Sequence, residues 1–210
     1  MAKYIIGVIV LILVAAGGYY MWSTKDATPI EETPPIVVPT TNTYATSTFS
    51  ITYPKEFTID TKYQYKGVPN KPIDGVSFTI PLTMATGTNL SADSRVSVEW
   101  LPRASICAGD IYILDNVRAR EMTEGGVKYS VATSSGAGAG NFYEEAVYAF
   151  PGSSPCTAVR YFIHSTNLAN YATGTVRAFD RAGLIRQFDT IRSSHKFTTT
   201  VVSTTTSQGF

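Results

Sequence analysis

Apolar and polar residues alternate through the middle of the chain, and this pattern predicts half-buried β-strands. The stretches "FSITY", "GVSFTIPL" and "RVSVEW" each place their apolar side chains on one face. Four more strands are predicted between residues 117 and 166. "VRAREMT" and "VKYSVAT" flank the turn Glu124-Gly125-Gly126, and "NFYEEAVYAF" and "CTAVRYFIHST" flank "PGSSP". We expect these four to form an antiparallel meander.

Two stretches follow the helical period instead. Residues 176–192, "VRAFDRAGLIRQFDTIR", repeat apolar residues at about every third or fourth position, which predicts an amphipathic helix packed on the sheet. Residues 103–115 are predicted to hold a shorter helix with Ile106, Ile111, Tyr112 and Leu114 as its apolar set. The predicted fold class is therefore α+β, an antiparallel sheet packed with helices.

The N-terminus carries 19 residues without a charge, from Tyr4 to Trp22. As a helix this segment is about 28 Å long and could span a bilayer. It predicts a single transmembrane helix, with the N-terminus inside and the rest of the chain outside the cytoplasm. The alternative is a cleaved signal peptide, for which Val14-Ala15-Ala16 is an acceptable cleavage site.

The predicted organisation has four parts. These are a transmembrane anchor at 1–23, a stalk rich in proline and threonine at 24–44, an extracytoplasmic domain at 45–197 and a flexible threonine-rich tail at 198–210. The implied localisation is the cytoplasmic membrane, as a single-pass protein held through residues 4–22.

Composition and charge narrow the possible partners. The chain has 44% hydrophobic residues and a net charge of +1, so it can form a core but offers no basic surface for nucleic acid. Cys107 and Cys156 are 49 positions apart, and in the predicted compartment we expect them to form a disulfide. Two free thiols are the alternative, and the spacing does not fit a zinc site. No metal or cofactor is predicted.

The glycine-rich stretch "SSGAGAGN", residues 134–141, raises the question of phosphate binding. It lacks the Lys-Ser/Thr ending of a P-loop, and the third glycine of a dinucleotide fingerprint is replaced by Asn141. A strand pattern follows where a helix would be needed. We therefore predict a turn between two strands.

One set of side chains is a candidate site. If Phe150 faces Cys156 across the hairpin, Glu144 faces Phe162, and Arg160 and His164 are its diagonal neighbours on the same face. Such a cluster could bind a polar ligand or form a structural ion pair, and a shift of one residue in register would dissolve it. No catalytic residues are assigned, because no nucleophile elbow accompanies the two histidines.

The opening "FSITYPKEF", the run of antiparallel strands and the closing helix in "RAFDRAGLIRQFDTIRSS" resemble the Mog1/PsbP-like sandwich domain. The resemblance covers roughly residues 46–194, and Lys55-Glu56-Phe57 replaces the usual Gly-Trp. It implies an extracytoplasmic domain that acts by binding or assembly, and it implies no catalytic residues. The chain is also similar to uncharacterised single-span bacterial surface proteins.

The predicted function is a membrane-anchored binding or assembly module for an envelope protein or glycan, with no enzyme activity required. Two alternatives stay open. The first is a hydrolase that uses Glu144 and His164 as acid and base. The second is a structural surface protein in which the tail or the stalk serves assembly.

Overall fold

A computed structural model describes residues 40–114 and 116–198 of the chain. These residues are mostly β-structure. The eleven strands in chain order are β1 Thr41–Ala45, β2 Phe49–Pro54, β3 Thr58–Asp60, β4 Gln64–Tyr65, β5 Ile73–Thr79, β6 Arg95–Leu101, β7 Arg120–Glu124, β8 Val127–Gly138, β9 Asn141–Ala149, β10 Cys156–Thr166 and β11 Lys196–Phe197.

The strands form two antiparallel sheets. The large sheet has the order β3-β5-β6-β10-β9-β8-β7, with β4 also paired to β5, and the small sheet has the order β1-β2-β11. The long strand β10 lies in the middle of the large sheet, between β6 and β9. This central place explains why most of its residues are buried on both faces.

The described residues contain two α-helices, α1 (Leu82–Ala85) and α2 (Arg181–Ser193), and two short 3₁₀ segments, Gly109–Tyr112 and Leu168–Asn170. The helix predicted over 176–192 begins later than expected. Asp180 accepts a hydrogen bond from the backbone N–H of Gly183 at 2.8 Å, and this N-cap fixes the start of α2 at Arg181.

One face of the large sheet, here called the core face, packs against the small sheet and α2. The main core contains Ile51 and Tyr53 from β2, Val98 and Val159 from the large sheet, and Phe188 from α2. The alternation of apolar residues in β2 and β6 is therefore explained by a sandwich interior.

The opposite face, here called the capped face, is covered by an irregular stretch that we call the capping segment, residues 102–114. A second cluster of buried residues lies beneath it, including Tyr112, Val147 and Ala158. Both faces of the central strands are thus removed from water.

The fold class predicted from the sequence is wrong. The described residues are mostly β-sheet, two antiparallel sheets with only two α-helices, where an α+β sandwich of sheet and helices was expected. The shorter helix predicted at 103–115 does not form over its described residues, 103–114, which are irregular apart from Gly109–Tyr112. Apolar residues close together in sequence suggested a helical face there, but most of them do not pack on the sheet.

The predicted membrane topology also needs correction. In the described part of the chain no helix is both long enough and apolar enough to cross a bilayer. This finding contradicts the predicted single-pass localisation in the cytoplasmic membrane. Residues 4–22, on which the prediction was based, lie outside the described residues.

Several local predictions can be compared with the structure. The meander β7-β8-β9-β10 is confirmed, and its first turn uses Gly125 and Gly126 at positive φ.

The turn in the glycine-rich stretch is shorter than expected, because β8 runs to Gly138 and only Ala139 and Gly140 form the turn. Residues 41–44, assigned to the stalk, belong to β1, and nearly all of the predicted tail lies outside the described residues.

The predicted disulfide is confirmed. Cys107 and Cys156 are bonded, with their Cα atoms 5.1 Å apart. The bond ties the capping segment to the first residue of β10.

We expect replacement of both cysteines, Cys107→Ser with Cys156→Ala, to lower the free energy of unfolding by about 4 kcal/mol. Without the disulfide, the loop across the 49-residue separation is no longer closed, so the unfolded chain gains conformational entropy. Urea denaturation of the oxidised, reduced and substituted chains measures this. A loss below about 1 kcal/mol would contradict the prediction.

His195, just after α2, is buried among aromatic rings. It stacks between Phe49 and Phe150, with ring centroids 5.2 and 4.5 Å away, and Phe197 contacts it edge-on. Burial lowers the pKa of His195 to about 4 from 6.5. The folded chain therefore holds this ring neutral.

This pKa predicts acid sensitivity. Between about pH 6.5 and pH 4 the unfolded chain binds a proton that the folded chain does not, so stability falls as the pH falls through this window. We expect His195→Phe to remove a pH-dependent loss of up to about 3 kcal/mol. Urea denaturation of both chains at pH 7.5, 6.0 and 4.5 measures the difference. A difference that stays constant with pH would count against the assignment.

Candidate functional site

The hairpin of β9 and β10 is shifted by one residue from the register that the sequence suggested. Glu144 lies opposite Ile163, and Glu145 lies opposite Phe162. Because side chains alternate across a strand, Glu144 points to the core face, whereas Arg160 and His164 point to the capped face. The structure therefore does not bring the three predicted site residues together.

Glu144 lies near the start of α2. Its carboxylate accepts a hydrogen bond from Nε of Arg181 at 3.0 Å, and both side chains are substantially exposed. They border a cavity of about 340 Å³. An exposed pair of this kind contributes little to stability, and no histidine lies at this cavity.

His164 lies at the far end of β10. Its Nδ1 is 2.9 Å from Oδ1 of Asp93, and its Nε2 is 3.1 Å from Oδ1 of Asn141. The ring also stacks on Tyr143 at 4.6 Å. Both nitrogens are engaged by neighbouring side chains, so the imidazole is held in place and its hydrogen-bonding positions are occupied.

Arg160 occupies the middle of the capped face and is completely buried. Its Nε and Nη2 both donate to Glu99 at 2.9 Å, and its Nη1 donates to Glu145. The Tyr65 ring covers the guanidinium, whose central carbon lies 3.5 Å from the ring centroid. We call this group, Arg160 with Glu99, Glu145 and Tyr65, the buried arginine cluster.

The carboxylates of Glu99 and Glu145 compensate the positive charge of Arg160 in this cluster. Burial alone would lower the pKa of Arg160, but the Glu99 and Glu145 carboxylates raise it above its usual value. Glu99 receives a further hydrogen bond from Ser97 Oγ at 2.7 Å. Burial also raises the pKa of Tyr65, which stays a phenol and donates to Glu145 at 3.0 Å. The Arg160 and Glu99 side chains are completely buried, whereas 17% of the Glu145 side chain is exposed.

Arg160 also fixes the capping segment. Its Nη2 donates to the backbone carbonyl of Tyr112 at 2.8 Å. The Tyr112 hydroxyl in turn donates to the carbonyl of Cys156 at 2.7 Å, beside the disulfide. Gly109 packs so closely on β8 that an added Cβ would lie 2.7 Å from the backbone nitrogen of Ala132. Three separate attachments thus hold this irregular stretch on the sheet.

The outer side of the capping segment is apolar. Ile106 is 71% exposed, Leu114 is 62% exposed and Ile111 is 40% exposed, whereas Tyr112 between them is completely buried. Of the four apolar residues predicted to pack, three therefore face solvent. A hollow of about 860 Å³ beside Ile106 and Ile111 is lined mostly by apolar atoms. We call this hollow with Ile106 and Ile111 the apolar patch; Leu114 is exposed on the same segment but does not line the hollow.

Two cations border the apolar patch. Lys71 and Arg103 line the hollow, and neither side chain forms an ion pair within the described residues. The patch therefore combines exposed apolar side chains with unpaired positive charge. Large exposed apolar side chains grouped in this way are typical of interaction surfaces.

Comparison with known protein families and with curated proteins finds no match. The resemblance to the Mog1/PsbP-like domain stays a prediction. Evidence on function comes from the geometry alone.

No group of three or more metal-ligating side chains occurs in residues 40–114 and 116–198.

Sequence reasoning found Ile106, Ile111 and Leu114 but assigned them to a buried helix face. The available signal was their spacing, because positions 106, 111 and 114 do not share one helical stripe with Tyr112.

We expect Arg160→Met to lower the free energy of unfolding by roughly 3–5 kcal/mol, because it leaves the buried Glu99 carboxylate without its partner. Adding Glu99→Leu should restore part of the loss, since the uncompensated charge is then removed. Urea denaturation of the two variants measures this. A double variant less stable than Arg160→Met would show that the charge is not the cause.

Proposed function

We propose that the chain is a non-catalytic binding module, and that it binds a partner protein through the apolar patch. The observation that supports this proposal is the exposure of Ile106 and Ile111 beside one hollow, on a segment held in place from beneath. Removing apolar side chains from water is favourable, so a surface that holds two large ones in solvent is stabilised when a partner covers it.

Rigidity supports a binding role. The capping segment is fixed by the disulfide, by Arg160 and by Tyr112, so binding requires little ordering of the chain. Preorganised surfaces retain more of their contact energy as affinity. An irregular stretch with no such attachments would lose part of that energy in becoming ordered.

Charge indicates the chemistry of the partner. Lys71 and Arg103 border the hollow without ion-pair partners, so a complementary surface carries carboxylates next to apolar side chains. We therefore propose a protein segment in which leucine, isoleucine or phenylalanine residues alternate or cluster with aspartate and glutamate.

The hydrolase alternative has no support from the geometry. Glu144 and His164 point to opposite faces of the large sheet, and His164 is already engaged by Asp93 and Asn141. An acid and a base must reach the same substrate. These two side chains do not share an open site.

Peptide display tests the proposal with the full chain as the target. We expect selected peptides to combine apolar and acidic residues, and to bind Ile106→Ser with Ile111→Ser at least tenfold more weakly than the natural chain. The reason is that each large apolar side chain contributes about 1.5–3 kcal/mol when fully buried. Titration of one fluorescent peptide measures the dissociation constants.

Leu82→Ser is the matched control. Leu82 is 69% exposed, close to the 71% of Ile106, but it lies in α1 and outside the apolar patch. It should leave peptide binding unchanged. Charge reversal by Lys71→Glu and Arg103→Glu should weaken binding of acidic peptides and favour basic ones. Selected peptides that bind the Ile106 and Ile111 variant as tightly as the natural chain would overturn the proposal.

A further inference from the structure

A groove lies at one end of the sandwich, and none of the residues that line it lines the hollow of the apolar patch. It runs between the turn at 46–48 and the loop at 151–155, and consists of two adjoining cavities of about 480 and 230 Å³. Thr48, Pro155 and Thr157 line both cavities, so the two form one continuous depression.

The lining has an unusual chemistry. Aromatic rings and prolines lie among hydroxyl groups; Phe197 is 46% exposed and Trp100 is partly exposed, whereas Phe49 is almost completely buried. None of the described residues that line either cavity has a charged or carboxamide side chain. The groove therefore offers flat apolar surfaces and small polar groups, but no strong acceptor such as a carboxylate.

Two side chains at this end of the fold, His195 and Trp100, have ring nitrogens without a hydrogen-bond partner among the described residues. His195 contacts the rings of both Phe49 and Phe197, and its two ring nitrogens are buried without a hydrogen bond. A neutral imidazole carries one N–H, and leaving it unpaired costs free energy. The indole N–H of Trp100 likewise makes no hydrogen bond to the described residues. Of these two side chains, Trp100 lines the groove and His195 does not, so the lining contains one unpaired donor, the indole N–H.

We propose that this groove binds a proline-rich segment of a partner protein in the polyproline II conformation. Proline rings match flat aromatic walls, and a polyproline II backbone presents carbonyl acceptors with few competing N–H groups. Donors such as the Trp100 indole suit those carbonyls. A saccharide presents donors in equal number, for which the lining side chains supply no carboxylate or amide oxygen.

Titration calorimetry with the full chain and a ten-residue polyproline peptide tests this directly. We expect saturable binding of the peptide and none of a glycine-serine peptide of equal length. Phe197→Ala should weaken binding at least tenfold, because Phe197 forms one wall of the groove and aromatic anchors dominate such contacts.

Phe142→Ala is the matched control. Phe142 is 44% exposed and Phe197 is 46% exposed, but Phe142 lies in β9, outside the groove. It should leave binding unchanged. Thermal denaturation of both variants verifies that each is folded. Absence of polyproline binding by the natural chain, equal binding by Phe197→Ala, or binding of cellohexaose in place of the peptide would each overturn the inference. Ile106→Ser should bind polyproline normally, so this test is independent of the apolar patch.

Discussion

The position of Arg160 determines much of what this domain can present to a partner. A guanidinium buried in the centre of a sheet is costly unless its charge is compensated, and Glu99 and Glu145 compensate it from the strands on either side. The remaining hydrogen bond goes to the backbone of Tyr112. The ion pairs that satisfy the charge therefore also join three strands to the capping segment.

This arrangement disfavours other registers. Glu145 reaches Arg160 only because β9 and β10 pair as they do, and a shift of one residue would turn Glu145 to the core face. The buried guanidinium would then lose one carboxylate. A buried ion cluster adds little net stability compared with apolar packing, but an incorrect pairing that leaves its charge unsatisfied is strongly penalised. Specificity of strand pairing is thus a physical role for the cluster.

The attachment of the capping segment to the sheet affects both proposed binding surfaces. The segment buries Tyr112 against the sheet and leaves Ile106 and Ile111 outside. Its disulfide reaches Cys156, which follows directly after the loop at 151–155 that borders the groove, and Cys107 Sγ lies 3.5 Å from Ser153 Oγ in that loop. The apolar patch and the groove are therefore built on neighbouring, covalently connected parts of one rigid end of the domain.

Local pattern determined much of the strand content. The meander from Arg120 to Thr166, the turn at Gly125 and Gly126 and the core alternation of β2 and β6 follow from residue types alone, because side-chain period and turn geometry are local properties. The disulfide was also predictable, since the chain has only two cysteines. The tertiary structure decided the register of β9 and β10, which separated Glu144 from Arg160 and His164. It also decided that residues 103–114 form an irregular cover and not a helix. Both outcomes depend on burial of the Arg160 charge between strands that are far apart in sequence. The sequence does not show which residues are near in space.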